Sequence, residues 1–231
     1  MITIVTSITN PDIFRNNLRI GLDIQDTPYK IVITESTIPL WTSYNMITPD
    51  TKYVMFVSQD IMFCSKDFLR RIEEYADSLP DVGVIGITGW IKDKRSPLGY
   101  WIQYHPVYGN SNIEQKYGDM TVKGKTLGQR FDTPLEVQVL DGMLLMVSTD
   151  LWKKYRFDDN TFKFHGGAWD YCLTIKYIAG RKNYIVPLKF FEDCSSYYPS
   201  NILRFKEEKR AIDDLLNKWK GKIDRIGGHI L

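Results

Sequence analysis

The apolar positions of this chain fall into short blocks whose spacing changes in a regular way. Ile2–Ile8 is rich in β-branched residues and Tyr29–Thr34 is apolar again, so both read as strands, and Pro11–Gln25 between them reads as a helix. That opening is a βαβ unit. Trp41–Ile47 is compatible with a short helix and Pro49-Asp50 with a turn. Tyr53-Val54-Met55-Phe56-Val57 is a continuous apolar run, as in a strand buried on both faces of a mostly parallel sheet. Lys66–Ser78 sets Phe68, Leu69, Ile72 and Tyr75 at helical spacing among charges, and Pro80 closes it. Val82–Thr88 returns to strand character. Strands alternating with helices predict the α/β class, with a mostly parallel central sheet flanked by helices.

From Lys92 to Pro134 the periodicity weakens into a mixture of Gly, Pro, Asn, Tyr and charges, the pattern of a functional loop, a lid or a small meander. Val137–Val147 reads as a strand broken by Asp141-Gly142, Leu151–Tyr155 as a short helix, Trp169–Ala179 as a helix ended by Gly180, and Tyr184–Pro187 as a strand. Asn201–Trp219 is amphipathic, with Ile202, Phe205, Ile212, Leu215, Leu216 and Trp219 along one side. No internal repeat interrupts this order, so one domain over residues 1–231 is expected.

Composition narrows the classes. A chain of 231 residues, 43% hydrophobic and 25% charged, can bury a single continuous core. Its net charge of +2 lacks the dense basic surface that nucleic-acid binding requires, and a small anionic ligand fits better. No run approaches the roughly 20 apolar residues that cross a bilayer, and Met1 leads into Ile-Thr-Ile-Val without a charged leader, which predicts a cytoplasmic protein. Cys64, Cys172 and Cys194 form no C-x-x-C pair, so neither a disulfide framework nor a zinc site is indicated. The 14 Tyr and 6 Trp suit stacking on sugar rings or bases, but core packing accounts for most of them.

Three places carry candidate chemistry. In Val57-Ser58-Gln59-Asp60-Ile61 a polar triplet ends an apolar strand, at the edge where α/β sheets bind ligands. Asp60 there suits Mg²⁺ or Mn²⁺ shared with diphosphate oxygens, and equally suits a cap or turn. In Phe164-His165-Gly166-Gly167-Ala168-Trp169-Asp170 two glycines permit close backbone approach to a ligand. Asp170 can act as a general base or as a first-turn aspartate favoured by the helix dipole, and His165 reads first as a structural hydrogen-bonding residue. Asp141-Gly142 is a carboxylate inside an apolar stretch, consistent with a pocket rim or with a satisfied bulge.

Taken in order, these segments resemble the GT-A glycosyltransferases related to family 2, in the short bacterial and viral branch with a His-Gln-Asp-type metal motif. The resemblance runs from about Ile2 to Ser196. It is carried by Ile2–Ser7 as first strand, Ser43-Tyr44-Asn45, Tyr53–Met62, Val82–Gly89, Leu140-Asp141-Gly142-Met143, Phe157-Asp158, Phe164–Leu173 and Gly180–Val186. It implies an inverting, Mn²⁺- or Mg²⁺-dependent transfer from a nucleotide-diphosphate sugar, UDP-linked above all, to a glycan or other hydroxyl acceptor. Residues 1–90 would be the nucleotide-binding half, 91–200 the acceptor half and 201–220 the C-terminal helix. By the same resemblance Asp60 binds the metal and Asp170 is the base. Thr6, Ser7, Glu35, Asn45, Ser58, Gln59, Asp141 and Gly142 join Asp60 in lining the donor site.

The chain departs from that pattern at two positions. Ser58 replaces the first carboxylate or histidine of the metal motif, and Ala168 replaces the first Asp of the D-x-D before the helix. Glu192-Asp193-Cys194 stands where relatives often carry a His; those acids could bind metal, and solvated surface is the expected reading. Two rivals follow: a non-catalytic sugar-nucleotide or glycan-binding module, favoured by the missing acids, and a nucleotidyltransferase, which no Gly-rich phosphate loop supports.

Overall fold

The computed structural model describes residues 1–90, 131–193, 201–220 and 222, together with three short strands between residues 106 and 121; at those strands and at positions 90, 201–205 and 208 it describes backbone alone. The elements run β1 (Ile2–Ser7), helix α1 (residues 11–23), β2 (Tyr29–Thr34), α2 (Leu40–Asn45), β3 (Tyr53–Val57), β4 (Ile61–Phe63), α3 (Phe68–Ser78), β5 (Val82–Gly86) and β6 (Gly89–Trp90). After them come β7 (Pro106–Val107), β8 (Glu114–Tyr117), β9 (Met120–Thr121), β10 (Leu135–Val137), β11 (Val139–Leu140), β12 (Leu144–Ser148) and α4 (Thr149–Lys154). Helix α5 (residues 167–178), β13 (Lys182–Ile185), β14 (Phe190–Asp193) and α6 (Asn201–Trp219) complete the order. Helix α1 begins at Pro11, where the missing N–H costs nothing, and Asn10 caps it by accepting from the Asp12 and Ile13 amides. Its middle, Arg15–Arg19, is a π-helical turn.

Seven strands form the central sheet in the order β10-β13-β5-β12-β3-β1-β2. The α/β class stands as expected, but the balance of directions is more mixed than a mostly parallel sheet. β1 runs parallel to β2 and β3, and β13 parallel to β5. β12 is antiparallel to both its neighbours, and β10 to β13. The reason is local: β12 starts just after the Asp141-Gly142 turn, with Leu144 opposite Val57 at the end of β3, so it must run back along β3. Two smaller sheets adjoin, β4-β14-β8-β9 and β11-β6-β7.

Both faces of the central sheet are buried, which is why its strands read as unbroken apolar runs. Along β3 the side chains alternate between two cores: Val54 and Phe56 join one, and Tyr53, Met55 and Val57 the other. The first core is strongly aromatic. Phe157 packs on Trp41 at 4.4 Å and on Tyr171 at 4.7 Å between centroids, and Phe56 on Trp152 at 4.6 Å. The described aromatic residues of this core thus serve packing.

The polar triplet in segment 57–61 does mark the end of a strand. β3 ends at Val57, Ser58–Asp60 forms the turn, and Ile61 opens β4 in another sheet. β14 was not anticipated, and it corrects the solvated reading of its acids: pairing with β4 and β8 buries both Glu192 and Asp193. Most of Lys92–Pro134, whose Trp101, Tyr104, His105 and Tyr108 are the sequence's candidate acceptor platform or lid, lies outside the described residues, as do Cys194 and the side chains of Ile202 and Phe205.

Candidate functional site

Because β1, β2 and β3 are parallel, Ser7, Thr34 and Val57 bring their following loops to one edge of the sheet. β12 starts at that edge, and the Ser58 N–H donates to the Met143 carbonyl at 2.9 Å. The Ser58–Asp60 turn and the Asp141–Met143 turn therefore lie side by side. Gln59 braces a third loop. Its Oε1 accepts from the Thr9 and Asn10 amides at 3.0 Å each, and its Nε2 donates to Thr9 Oγ1 at 2.6 Å. Gln59 thus shapes the loop after β1, with its own polar atoms spent on protein.

Asp60 is only 2% exposed, yet its Oδ1 has no hydrogen-bond partner. Burial pushes its carboxyl up to about 6; the Ser58 hydroxyl bond works against this, while the charges of Asp193 and Asp141 add to it. An unsatisfied buried carboxylate oxygen calls for an explanation. A hard divalent cation supplies one, because it takes oxygen ligands and offsets the charge that makes burial costly. Among the described residues no group of three or more His, Cys, Asp or Glu converges, so protein ligands alone do not close a cage. Thr6 Oγ1, at the end of β1, is likewise buried and unpartnered. Tyr44 sits nearby: Ser7 hydrogen-bonds its hydroxyl through the backbone, burial drives its pKa upward, and Asp60 adds to that rise.

The remaining predicted donor-site residues divide. Glu35 follows β2 at this edge and is exposed. Asn45 is occupied elsewhere: its Nδ2 donates to the Phe157 carbonyl at 2.9 Å and its Oδ1 accepts from the Phe157 amide at 3.1 Å. That clasp holds the 157–162 loop to α2, which leaves Asn45 a structural part. Asp141 caps its own turn, Oδ1 accepting from the Met143 amide at 3.1 Å, and is half-buried. A Cβ on Gly142 would stand 3.3 Å from Ala168 Cβ, so this turn lies directly on the start of α5.

The glycine pair before α5 has a different purpose from the one expected. Gly166 is left-handed (φ +83°) with the Phe162 ring against it, and a Cβ on Gly167 would fall 2.3 Å from Trp41 Nε1. Trp41 Nε1 also donates to the Phe164 carbonyl at 2.6 Å. The close approach is thus to protein rings.

Asp170 is engaged by the C-terminal helix. Its Oδ2 accepts from Lys218 Nζ at 2.8 Å and its Oδ1 from Trp219 Nε1 at 2.8 Å, both on α6. It is 2% exposed, and burial raises its pKa although the Lys218 and Trp219 bonds pull the other way. Lys218 also binds Asp158 Oδ2 at 2.6 Å. This carboxylate ties α5 to α6, each of its oxygens engaged by a donor on α6. The helix residue that meets the Asp141-Gly142 turn is Ala168, two positions earlier.

Sequence reasoning missed the parts played by Trp41, Lys218 and Trp219. The one available signal was Lys218-Trp219 at the end of an apolar stripe, a cation in the last helical turn, and that pattern is also what any helix C-terminus favours.

A sequence model described as "Glycosyltransferase like family" matches residues 11–219. Among solved structures, that of S. aureus TarS 1-349 in complex with UDP-GlcNAc is similar with a TM-score of 0.54 at 15% identity, over 94% of this chain and 66% of that one. The structure of GalNAc-T7 with UDP, GalNAc and Mn²⁺ is similar with a TM-score of 0.55 at 7% identity, over 84% of this chain and 43% of that one. At such identities the likeness is one of fold, and this chain spans no more than 66% of either structure's length. Among curated protein sequences none matches this chain significantly.

Proposed function

This chain belongs to the glycosyltransferase-like family, and from that premise we infer that it moves a sugar from a nucleotide-diphosphate donor, UDP-linked in the first instance, to a hydroxyl acceptor. The observation that carries the reading is the buried Asp60 carboxylate, with one unpartnered oxygen, at the edge where three parallel strands end. Asp60 would hold Mn²⁺ or Mg²⁺, which when bound offsets negative charge growing on the departing diphosphate. Ser58 orients the Asp60 carboxylate by its hydroxyl bond, and Gln59 fixes the loop after β1 that closes the nucleotide side. Thr6, Ser7 and Glu35 line that side as strand ends.

Acceptor activation is reassigned. Of Asp60, Asp141, Asp170, Glu192 and Asp193, all but Asp141 are buried. Its neighbour Gly142 lies against Ala168, where the resemblance places a carboxylate. Asp141 is therefore the base in an inverting displacement, taking the proton of the attacking hydroxyl, while Asp170 acts as an anchor.

The test is a panel of UDP-, GDP- and dTDP-sugars assayed for Mn²⁺-dependent donor hydrolysis and for transfer to simple glycosides. Hydrolysis of one donor that stops on chelation supports the reading. A second reading has an observation of its own: Ala168 leaves α5 without a carboxylate facing the turn, as a sugar-nucleotide-binding module would. Calorimetric donor binding with no hydrolysis or transfer from any donor would select that module.

A further inference from the structure

The acid missing from position 58 has a counterpart on a distant strand. β14 pairs antiparallel with β4, Phe190 opposite Phe63 and Glu192 opposite Ile61. One step on, the Asp193 N–H donates to the Asp60 carbonyl at 2.9 Å. Residues directly opposed in an antiparallel pair share a face, with Cβ atoms about 5 Å apart. Asp60 and Asp193 are thus neighbouring carboxylates, both buried. Two such charges side by side in a dry edge repel each other unless something positive lies between them.

Two further observations point to a ligand. Asp60 Oδ1 is buried and has no partner among the protein groups. Asp193 is held from behind: the Asn17 amide, inside the π-helical turn of α1, donates to Asp193 Oδ2 at 3.4 Å and to the Ile13 carbonyl at 2.9 Å. π-Turns within α-helices recur at functional sites, and metal-bound carboxylates are characteristically oriented by such outer hydrogen bonds.

We propose that Asp193 is the second protein ligand of a divalent cation held with Asp60, so that the metal motif of this chain is split between the end of β3 and the end of β14. Two carboxylates, with water and diphosphate oxygens completing the shell, match how Mg²⁺ and Mn²⁺ are ordinarily bound. Asn17 is a positioning residue for Asp193. The inference rests on the nucleotide-sugar reading for the diphosphate, but the carboxylate pair stands without it.

The test measures Mn²⁺ binding by electron paramagnetic resonance and calorimetry, with and without UDP or GDP, on the full chain, alongside melting temperature. Wild type is expected to bind Mn²⁺, more tightly with the nucleotide, and to gain melting temperature on doing so. Asp193→Asn and Asp60→Asn are each expected to weaken Mn²⁺ at least tenfold and to lose that gain. Asn17→Ala should weaken it less and leave stoichiometry unchanged. Should Asp193→Asn fail to fold, Asp193→His serves instead: an imidazole ligand is expected to shift preference from Mg²⁺ toward Co²⁺ or Ni²⁺. An Asp193→Asn or Asp193→His protein with wild-type Mn²⁺ affinity and metal preference would overturn the proposal, as would a wild type that binds no Mn²⁺ with either nucleotide. Mn²⁺ binding that needs both acids, in a protein that transfers no sugar, would uphold this site and refute the transferase reading alone.

Discussion

Lys218 Nζ lies 2.8 Å from Asp170 Oδ2, and this contact joins the last turn of α6 to the first turn of α5. The same ammonium reaches Asp158, so two carboxylates from two segments meet around one cation. Asp170 is therefore held in place by residues 48 and 49 positions further along the chain.

Asp170→Ala is expected to cost about 2–4 kcal/mol, because it leaves Trp219 Nε1 buried without an acceptor and removes one of two partners of Lys218. Differential scanning calorimetry reads this as a fall in melting temperature of roughly 5–15 °C for a chain of this size. Asp170→Asn should keep transfer per folded molecule within tenfold of wild type. A loss of several orders of magnitude in a well-folded Asp170→Asn protein would restore it as the base.

Asp141→Asn should do the reverse. The amide oxygen can still accept from the Met143 amide, so stability should change by less than about 1 kcal/mol, while transfer falls by a factor on the order of 100 or more. Steady-state kinetics with the identified donor and acceptor provide the check. Unchanged kcat would remove Asp141 from the reaction.

Acid should weaken the α5–α6 junction with a definite sign. Burial by itself raises the Asp158 pKa, but the bonds from Lys218 and Thr161 outweigh it and bring the pKa down to about 2. A depressed folded value means stability that is present above the unfolded carboxylate value of about 3.9 and is lost as pH falls through about 2. Asp170, raised in the fold, contributes in the opposite sense, its share declining as pH rises past the unfolded value. Urea melts between pH 2 and pH 5 should show a shallower acid limb for Asp158→Asn than for wild type. Identical slopes would contradict the assignment.

The glycines of α5 and its end should respond unequally. Gly167→Ala places a methyl group 2.3 Å from Trp41 Nε1, and the ring is pinned by its bond to Phe164, so a cost of about 2 kcal/mol or more is expected. Gly180 is also left-handed (φ +66°) but has nothing within 4 Å, so Gly180→Ala should cost only about 1 kcal/mol, the backbone penalty. Equal destabilisation in paired denaturant melts would refute the packing argument.

Local patterning determined much of this protein. The runs Tyr29–Thr34, Tyr53–Val57 and Asn201–Trp219 are elements with the ends their residues suggested, because each is long or continuous enough for burial to be written in neighbouring positions. The Asp60 turn at the end of a buried strand was legible for the same reason. What lay beyond reach depended on partners remote in the chain. Asp193 becomes a buried neighbour of Asp60 only through the pairing of β14 with β4, and a four-residue strand carrying two acids has no period that would announce it. Asp170 looks alike in sequence as base or anchor, and the Lys218 and Trp219 groups that engage it lie 48 and 49 residues away. A carboxylate's role is set by the charges and donors around it, and only the folded chain brings those within hydrogen-bonding distance.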